Sequence, residues 1–288
     1  MIIMDININK LYSMEKNLIK VAICYDCDDT LTVDNTQQYG FMRTLGITPK
    51  DFWELADRIA KEHNADKILS YMLAMLKEAE EKGISLTKEN LTSFGEDIAL
   101  FDGVEDWFTR INKFARENGI ELHHYIISSG IKEIIEGMPI SKEFTKIYAC
   151  SFMFDENGKA FWPAQVINYT TKTQYLFRIS KGCLDESDES VNNKTTKEQW
   201  NIPFNQMLYI GDGLTDVPCM ATLKKYNGQT LAVLRPDREK SVKCALKLLE
   251  DGRVDNIAPA DYSEGSRVDE LVKEWLLKIK ADNDLMSN

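Results

Sequence analysis

Two short runs of aspartates offer the chemistry in this 288-residue chain. Asp26-Cys27-Asp28-Asp29-Thr30 sets two carboxylates two positions apart, and Gly211-Asp212-Gly213-Leu214-Thr215-Asp216 supplies two more beside glycines that permit close backbone approach. In an extended chain residues i and i+2 point the same way, so Asp26 and Asp28 address one space. One can attack an electrophile while the other handles protons, provided something offsets their repulsion. A Mg²⁺ ion is the natural candidate, because a hard cation takes carboxylate and carbonyl oxygens. Taken alone, either run is more often a cap or a turn than a catalytic site.

Other residues carry less. Cys24 and Cys27 form a C-x-x-C that suits a redox pair or half a zinc site, but no second such pair follows and a structural role is simpler. His123 and His124 are adjacent on an expected strand, so they face opposite ways and make a poor metal pair. Phe161 and Trp162 suit a pocket wall or the core, and the acidic run 185–189 reads as a solvated loop.

The elements that must position these groups follow from periodicity. Val21–Asp26 is a short apolar strand ending abruptly in acids, His123–Ser128 a second, and Gln206–Ile210 a third that runs into Gly-Asp-Gly. Ligands gather beyond the carboxyl ends of parallel strands, so Asp26 with Asp28, Ser128, and Asp212 with Asp216 are expected to converge. From Pro49 to about Ala99 the pattern is helical: Phe52, Leu55, Ile59 and Ala60 share one face, and Ile68, Met72, Met75 and Ala79 another. Helices are expected over 104–117, 131–136, 173–181 and 239–250, a strand over 230–234, and an amphipathic helix around Val268–Ile279. Lys146–Pro163 reads as a hairpin turning at Asn157-Gly158, and 184–199 as an exposed polar loop. Repeated strand–helix alternation implies an α/β fold, a parallel sheet covered on both faces. The segment 34–99 is then an all-helical insertion between 1–33 and 100–288.

Composition narrows the partners. Lys and Arg number 35 against 46 Asp and Glu, for a net charge of -11, so no basic face exists for a nucleic acid. No apolar run approaches the ~20 residues that cross a bilayer. The N-terminal stretch mixes acids into its apolar residues and makes a poor signal peptide, and six scattered cysteines suit a reducing cytoplasm.

Together these motifs resemble the haloacid dehalogenase (HAD) superfamily of aspartate-nucleophile phosphatases, over about residues 20–280. YDCDDTLT matches the first motif, YIISSG the second with Ser128, and GDGLTD the fourth with Asp212 and Asp216. The first and fourth motifs in this order are specific; the second is weak alone. The resemblance is greatest to the phosphoserine-phosphatase-like branch, and it implies a Rossmann-like core with a helical C1-type cap at 34–99. The third motif is a lysine, for which Lys172 and Lys194 are candidates. Lys172 precedes an apolar-periodic helix (Tyr175, Leu176, Ile179), whereas Lys194 sits in a polar run, so Lys172 is preferred. Ser129 departs from the glycine common after the motif serine, which bears on the substrate.

Carried over residue by residue, the resemblance implies Asp26 as nucleophile and Asp28 as acid/base. Ser128 and Lys172 would hold the phosphoryl group, and Asp26, the carbonyl of Asp28, Asp212 and Asp216 would bind Mg²⁺. An acid/base aspartate at 28 argues against dehalogenation. The implied activity is hydrolysis of a small phosphorylated metabolite through an aspartyl-phosphate. Transfer to an acceptor alcohol, or a silent phosphate-binding protein on the same scaffold, are the alternatives. Monomer and homodimer are left open.

Overall fold

The computed structural model describes residues 18–196 and 199–286. Seven strands form one sheet: β1 (Ile19–Tyr25), β2 (Ile120–Ile131), β3 (Lys146–Phe154), β4 (Ala160–Gln165), β5 (Met207–Gly211), β6 (Gln229–Leu234) and β7 (Asn256–Pro259). Their order is β4-β3-β2-β1-β5-β6-β7, with every neighbour parallel except β4, which runs antiparallel to β3. The central strand β1 reads IKVAICY, and Val21 to Tyr25 are wholly buried, as a strand covered on both faces requires. Tyr25 pairs with Ile126 on one side and Ile210 on the other. The chain therefore leaves β1 level with Ile127 on β2 and Gly211 on β5.

The helices that flank the sheet follow the apolar spacing. In α5 (Val104–Glu117) Val104, Trp107, Phe108, Ile111 and Ala115 form the buried stripe. This helix packs on β2 and against α10 (Arg267–Met286), while α7 (Thr170–Lys181) packs against α8 (Val217–Lys225), which lies on β5 and β6. The last flanking helix, α9 (Glu239–Glu250), covers β6 and β7. Beneath α5 a chain of buried hydrogen bonds runs from Trp107 Nε1 to Tyr25 Oη (2.9 Å), on to His124 Nδ1 (3.1 Å), and from His124 Nε2 to Asn112 Oδ1 (2.9 Å). His124 is thus a satisfied core histidine, and His123 on the opposite face meets Glu121 at 3.2 Å.

Between β1 and α5 lie α1 (Phe41–Leu45), α2 (Pro49–His63), α3 (Lys67–Glu81) and α4 (Lys88–Ser93), and residues 34–99 hold no strand. Thr48 caps α2 by accepting from Asp51 N, with Pro49 in the first turn. Helix α4 packs on α6 (Lys132–Glu136) so closely that a Cβ on Gly137 would stand 1.8 Å from the Thr92 carbonyl.

Several sequence expectations need revision. Strand β2 runs past Ser128 to Ile131, because Ile131 regains pairing with Cys150 after a register shift at the polar Ser-Ser-Gly. The short β7 was not expected: it has four residues, begins with a polar side chain and ends in proline. The hairpin turns at Asn157-Gly158, where Gly158 takes φ +73°, but Phe161 and Trp162 lie exposed on β4, outside the core. The 184–196 segment is at the surface yet pinned. Arg178 donates to the carbonyls of Cys183, Asp185, Glu186 and Asp188, and Lys181 to those of Val191 and Asn193. Among the described residues all six cysteines are free, and no helix is long and apolar enough to cross a membrane.

Candidate active site

A cleft of about 480 Å³ opens beyond the carboxyl ends of β1 and β5 and beside the irregular Ser128–Gly130 stretch of β2, and Asp26, Asp28, Ser128 and Asp212 line it. Position follows from register. Asp26 N donates to the Ile210 carbonyl at 2.9 Å, which holds the first residue after β1 against the end of β5. Asp26 Oδ1 accepts from the amide of Cys27 at 2.8 Å, and Oδ2 faces Lys172 Nζ at 3.0 Å.

Lys172 comes from the first turn of α7, a helix seated by the buried Tyr175, Leu176 and Ile179. Its side chain is wholly buried, and its ammonium bridges Asp26 and Asp216 Oδ1, the latter at 2.7 Å. Burial alone would favour the neutral amine, but the two carboxylates outweigh it and hold the lysine charged, above its ordinary pKa. Lys194 is an exposed residue of the pinned segment and lines no part of the cleft.

Asp216 is wholly buried and its carboxylate is occupied by protein donors. Oδ1 takes Lys172 and the hydroxyl of Tyr209 (2.8 Å), and Oδ2 takes the amide of Gly213 (3.2 Å). Asp212 is different: no donor among the described residues meets its side chain, and burial with the nearby Asp216 and Asp26 pushes its pKa well above the ordinary range. Burial raises Asp26 to about 7, with Asp216 adding to the shift and Lys172 opposing it. Asp28 rises to about 6, also through burial, although the amide of Thr36 donates to its Oδ1 at 2.8 Å and stabilises the anion. Ser128 Oγ is buried and accepts from Gly130 N at 3.0 Å, leaving its hydroxyl proton to donate.

Four aspartates thus surround one lysine, and the excess negative charge suits a cation. One oxygen from each of Asp26, Asp212 and Asp216 lies within 4.8 Å of the others. The donors are all oxygen, with no thiolate or imidazole, and Asp212 is open to the cleft; this set fits a hard ion such as Mg²⁺. Because Asp216 already serves three donors, Asp26 and Asp212 are the more available pair.

Tyr209 and Thr36 were missed by the sequence reading. Tyr209 lies on β5 two residues before Gly211, where it looked like ordinary core. The signal for Thr36 would have been the unpaired carboxylate of Asp28, which needs a donor.

A family model described as Putative Phosphatase matches residues 21–237. An uncharacterized protein of Borreliella burgdorferi is 28% identical over 283 residues, covering 88% of this chain and 95% of that protein. Among solved structures, a HAD family hydrolase from Salmonella enterica serovar Typhi superposes with a TM-score of 0.56 at 14% identity, over 90% of this chain and 72% of its own. A substrate-bound phosphoserine phosphatase complex gives 0.54 at 16% identity, over 88% and 98%. A phosphoserine phosphatase holding a phospho-aspartyl intermediate analogue gives 0.52 at 16%, over 89% and 99%. At these identities the likeness is one of fold.

Proposed function

The chain belongs to the Putative Phosphatase family and is a phosphatase of the HAD superfamily; from that premise we propose that it hydrolyses small phosphomonoesters through a phosphoryl group carried on Asp26, with Mg²⁺ as cofactor. The observation that carries this reading is the meeting of Lys172 with Asp26 at 3.0 Å, at a strand end that also presents Asp28 and Asp212 to the cleft.

In the first step Asp26 attacks phosphorus, the bond from phosphorus to the ester oxygen breaks, and an aspartyl-phosphate forms. Asp28 gives its proton to the departing oxygen. In the second step Asp28 takes a proton from water, which attacks phosphorus, releases inorganic phosphate and regenerates the Asp26 carboxylate. A carboxyl group near 6 suits both tasks, since it can hold or release a proton close to neutral pH. Ser128 and Lys172 donate to the phosphoryl oxygens, and Asp216, itself held by Tyr209, fixes the ammonium that does so.

Asp26, the main-chain carbonyl of Asp28 and Asp212 would hold Mg²⁺, with Asp216 serving directly or through water. When bound, the ion offsets the carboxylate charge and the charge on the phosphoryl oxygens. We assign residues 34–99 as a cap over a core made of 1–33 and 100–288, and the modest cleft favours a small metabolite over a macromolecule. The free cysteines accord with a reducing cytoplasm.

The test is to quench the protein with a labelled phosphate ester and map the label. It is expected on the peptide containing Asp26 and absent from Asp26→Asn. Label on another residue, or turnover by that variant, would overturn the assignment.

A further inference from the structure

Helix α3 reaches the core through hydrogen bonds from Asp66 and Tyr71 that land next to groups facing the reacting centre. Its N-cap, Asp66, divides its carboxylate between two tasks. Oδ1 accepts from the amides of Ile68 (2.8 Å) and Leu69 (3.1 Å), while Oδ2 accepts from Asn168 Nδ2 at 2.9 Å. Further along the helix the buried Tyr71 donates its hydroxyl to the Ser129 carbonyl at 2.6 Å.

Asn168 opens the turn that launches α7. Its amide donates to Thr171 Oγ1 (2.6 Å), its carbonyl accepts from Thr171 N (2.8 Å), and Lys172 N donates to the Tyr169 carbonyl (3.1 Å). Tyr169 within this turn has φ +40°, a region that costs a non-glycine residue about 1–3 kcal/mol and persists only when the surroundings enforce it. Asn168 is 8% exposed and its Oδ1 has no partner, so the bond to Asp66 is the one polar contact of that side chain among the described residues. A strained turn, anchored from outside the core at a single side chain, carries the lysine that meets Asp26.

We propose that Asp66 and Asn168 are positioning residues for Lys172: their hydrogen bond sets the turn from which the lysine reaches Asp26, so the seating of the helical insertion fixes the site. Tyr71 acts in the same way on Ser129 and hence on Ser128. This rests on the reading that Lys172 serves the phosphoryl group.

The pair can be tested by reversing it. Asp66→Ser keeps an oxygen to cap α3 but is shorter and has no second oxygen for Asn168, and Asn168→Asp sets two carboxylates face to face. The double variant Asp66→Asn with Asn168→Asp restores a donor and an acceptor with the roles exchanged. Each single change is expected to lower kcat on an aryl phosphate at least about tenfold with KM within about threefold, and the double to recover most of kcat. In metal-free protein, amide exchange around residues 170–172 is expected to quicken in the singles and slow again in the double. Singles that lose thermal stability but keep kcat, or a double that regains stability without kcat, would overturn the proposal. If the wild type turns over no phosphate ester, the phosphatase reading falls, and exchange decides the coupling: protection lost and regained sustains it, unchanged protection refutes it.

Discussion

Lys172 and Asp26 form a buried ion pair at 3.0 Å that joins the first turn of a helix to the end of the central strand. A buried charge left without its partner is costly, typically about 3–5 kcal/mol, so this contact bears on stability and on chemistry. Asp216 shares the same ammonium, and loss of the lysine strands two carboxylates at once.

Lys172→Ala is accordingly expected to lower turnover by several orders of magnitude. Lys194→Ala should stay within about tenfold, a barrier change of about 1.4 kcal/mol. Steady-state rates, scaled to the folded fraction read by circular dichroism, check both. Comparable rates for the two variants would remove Lys172 from the site.

Asp28→Asn separates the two chemical steps. With p-nitrophenyl phosphate the leaving group needs little protonation, so the first step should survive better than the hydrolysis that follows. A burst of nitrophenolate matching the enzyme concentration, then a steady rate about 10²–10⁴-fold below wild type, is the expected trace. Wild-type steady turnover would exclude the acid/base role.

Exhaustive chelation should abolish activity, and Mg²⁺ should restore it. Asp212→Ala, which removes the carboxylate open to the cleft, is expected to raise the Mg²⁺ concentration for half-maximal rate or to eliminate the response. A metal titration of the two proteins reads this directly. Full activity in a chelator would dismiss the cation.

Acid should weaken the fold through His124. Burial, aided by His123, lowers this imidazole to about 3, against about 6.5 in an unfolded chain. Below pH 6.5 the unfolded chain binds a proton that the folded chain refuses, so the contribution is complete above 6.5 and is lost as pH falls toward 3. The loss approaches about 1.4 kcal/mol per pH unit. Urea unfolding between pH 7 and 4 should show a shallower decline for His124→Gln than for wild type. Equal slopes would place the acid sensitivity elsewhere.

Legibility in the sequence depended on the range of the interaction. Asp26, Ser128 and Asp212 could be read together because an apolar strand ending in polar residues is a local pattern, and parallel strands align such ends. Lys172 could be preferred over Lys194 because Tyr175, Leu176 and Ile179 anchor its helix. The Tyr209–Asp216 bond, the Thr36 amide on Asp28 and the Asp66–Asn168 link had no such pattern. Each joins groups whose proximity exists only after the chain has folded. The strand β7 escaped for another reason: at four residues, with its proline at the end, it shows no alternation to detect.

The carbonyl contacts of Arg178 have a consequence for how the chain tolerates change. Every residue type presents the same main-chain oxygen, so this anchor on the bend from 183 to 188 acts whatever side chains the bend carries, while Asp185, Glu186 and Asp188 add side-chain contacts to Ser187, to Lys132 and Lys146, and to Ser190. Arg178→Lys, with no planar fork to span four oxygens, should release the whole bend. A foreign epitope grafted over 185–189 would therefore take its shape from the host, provided it keeps the aspartates at 185 and 188 and the glutamate at 186.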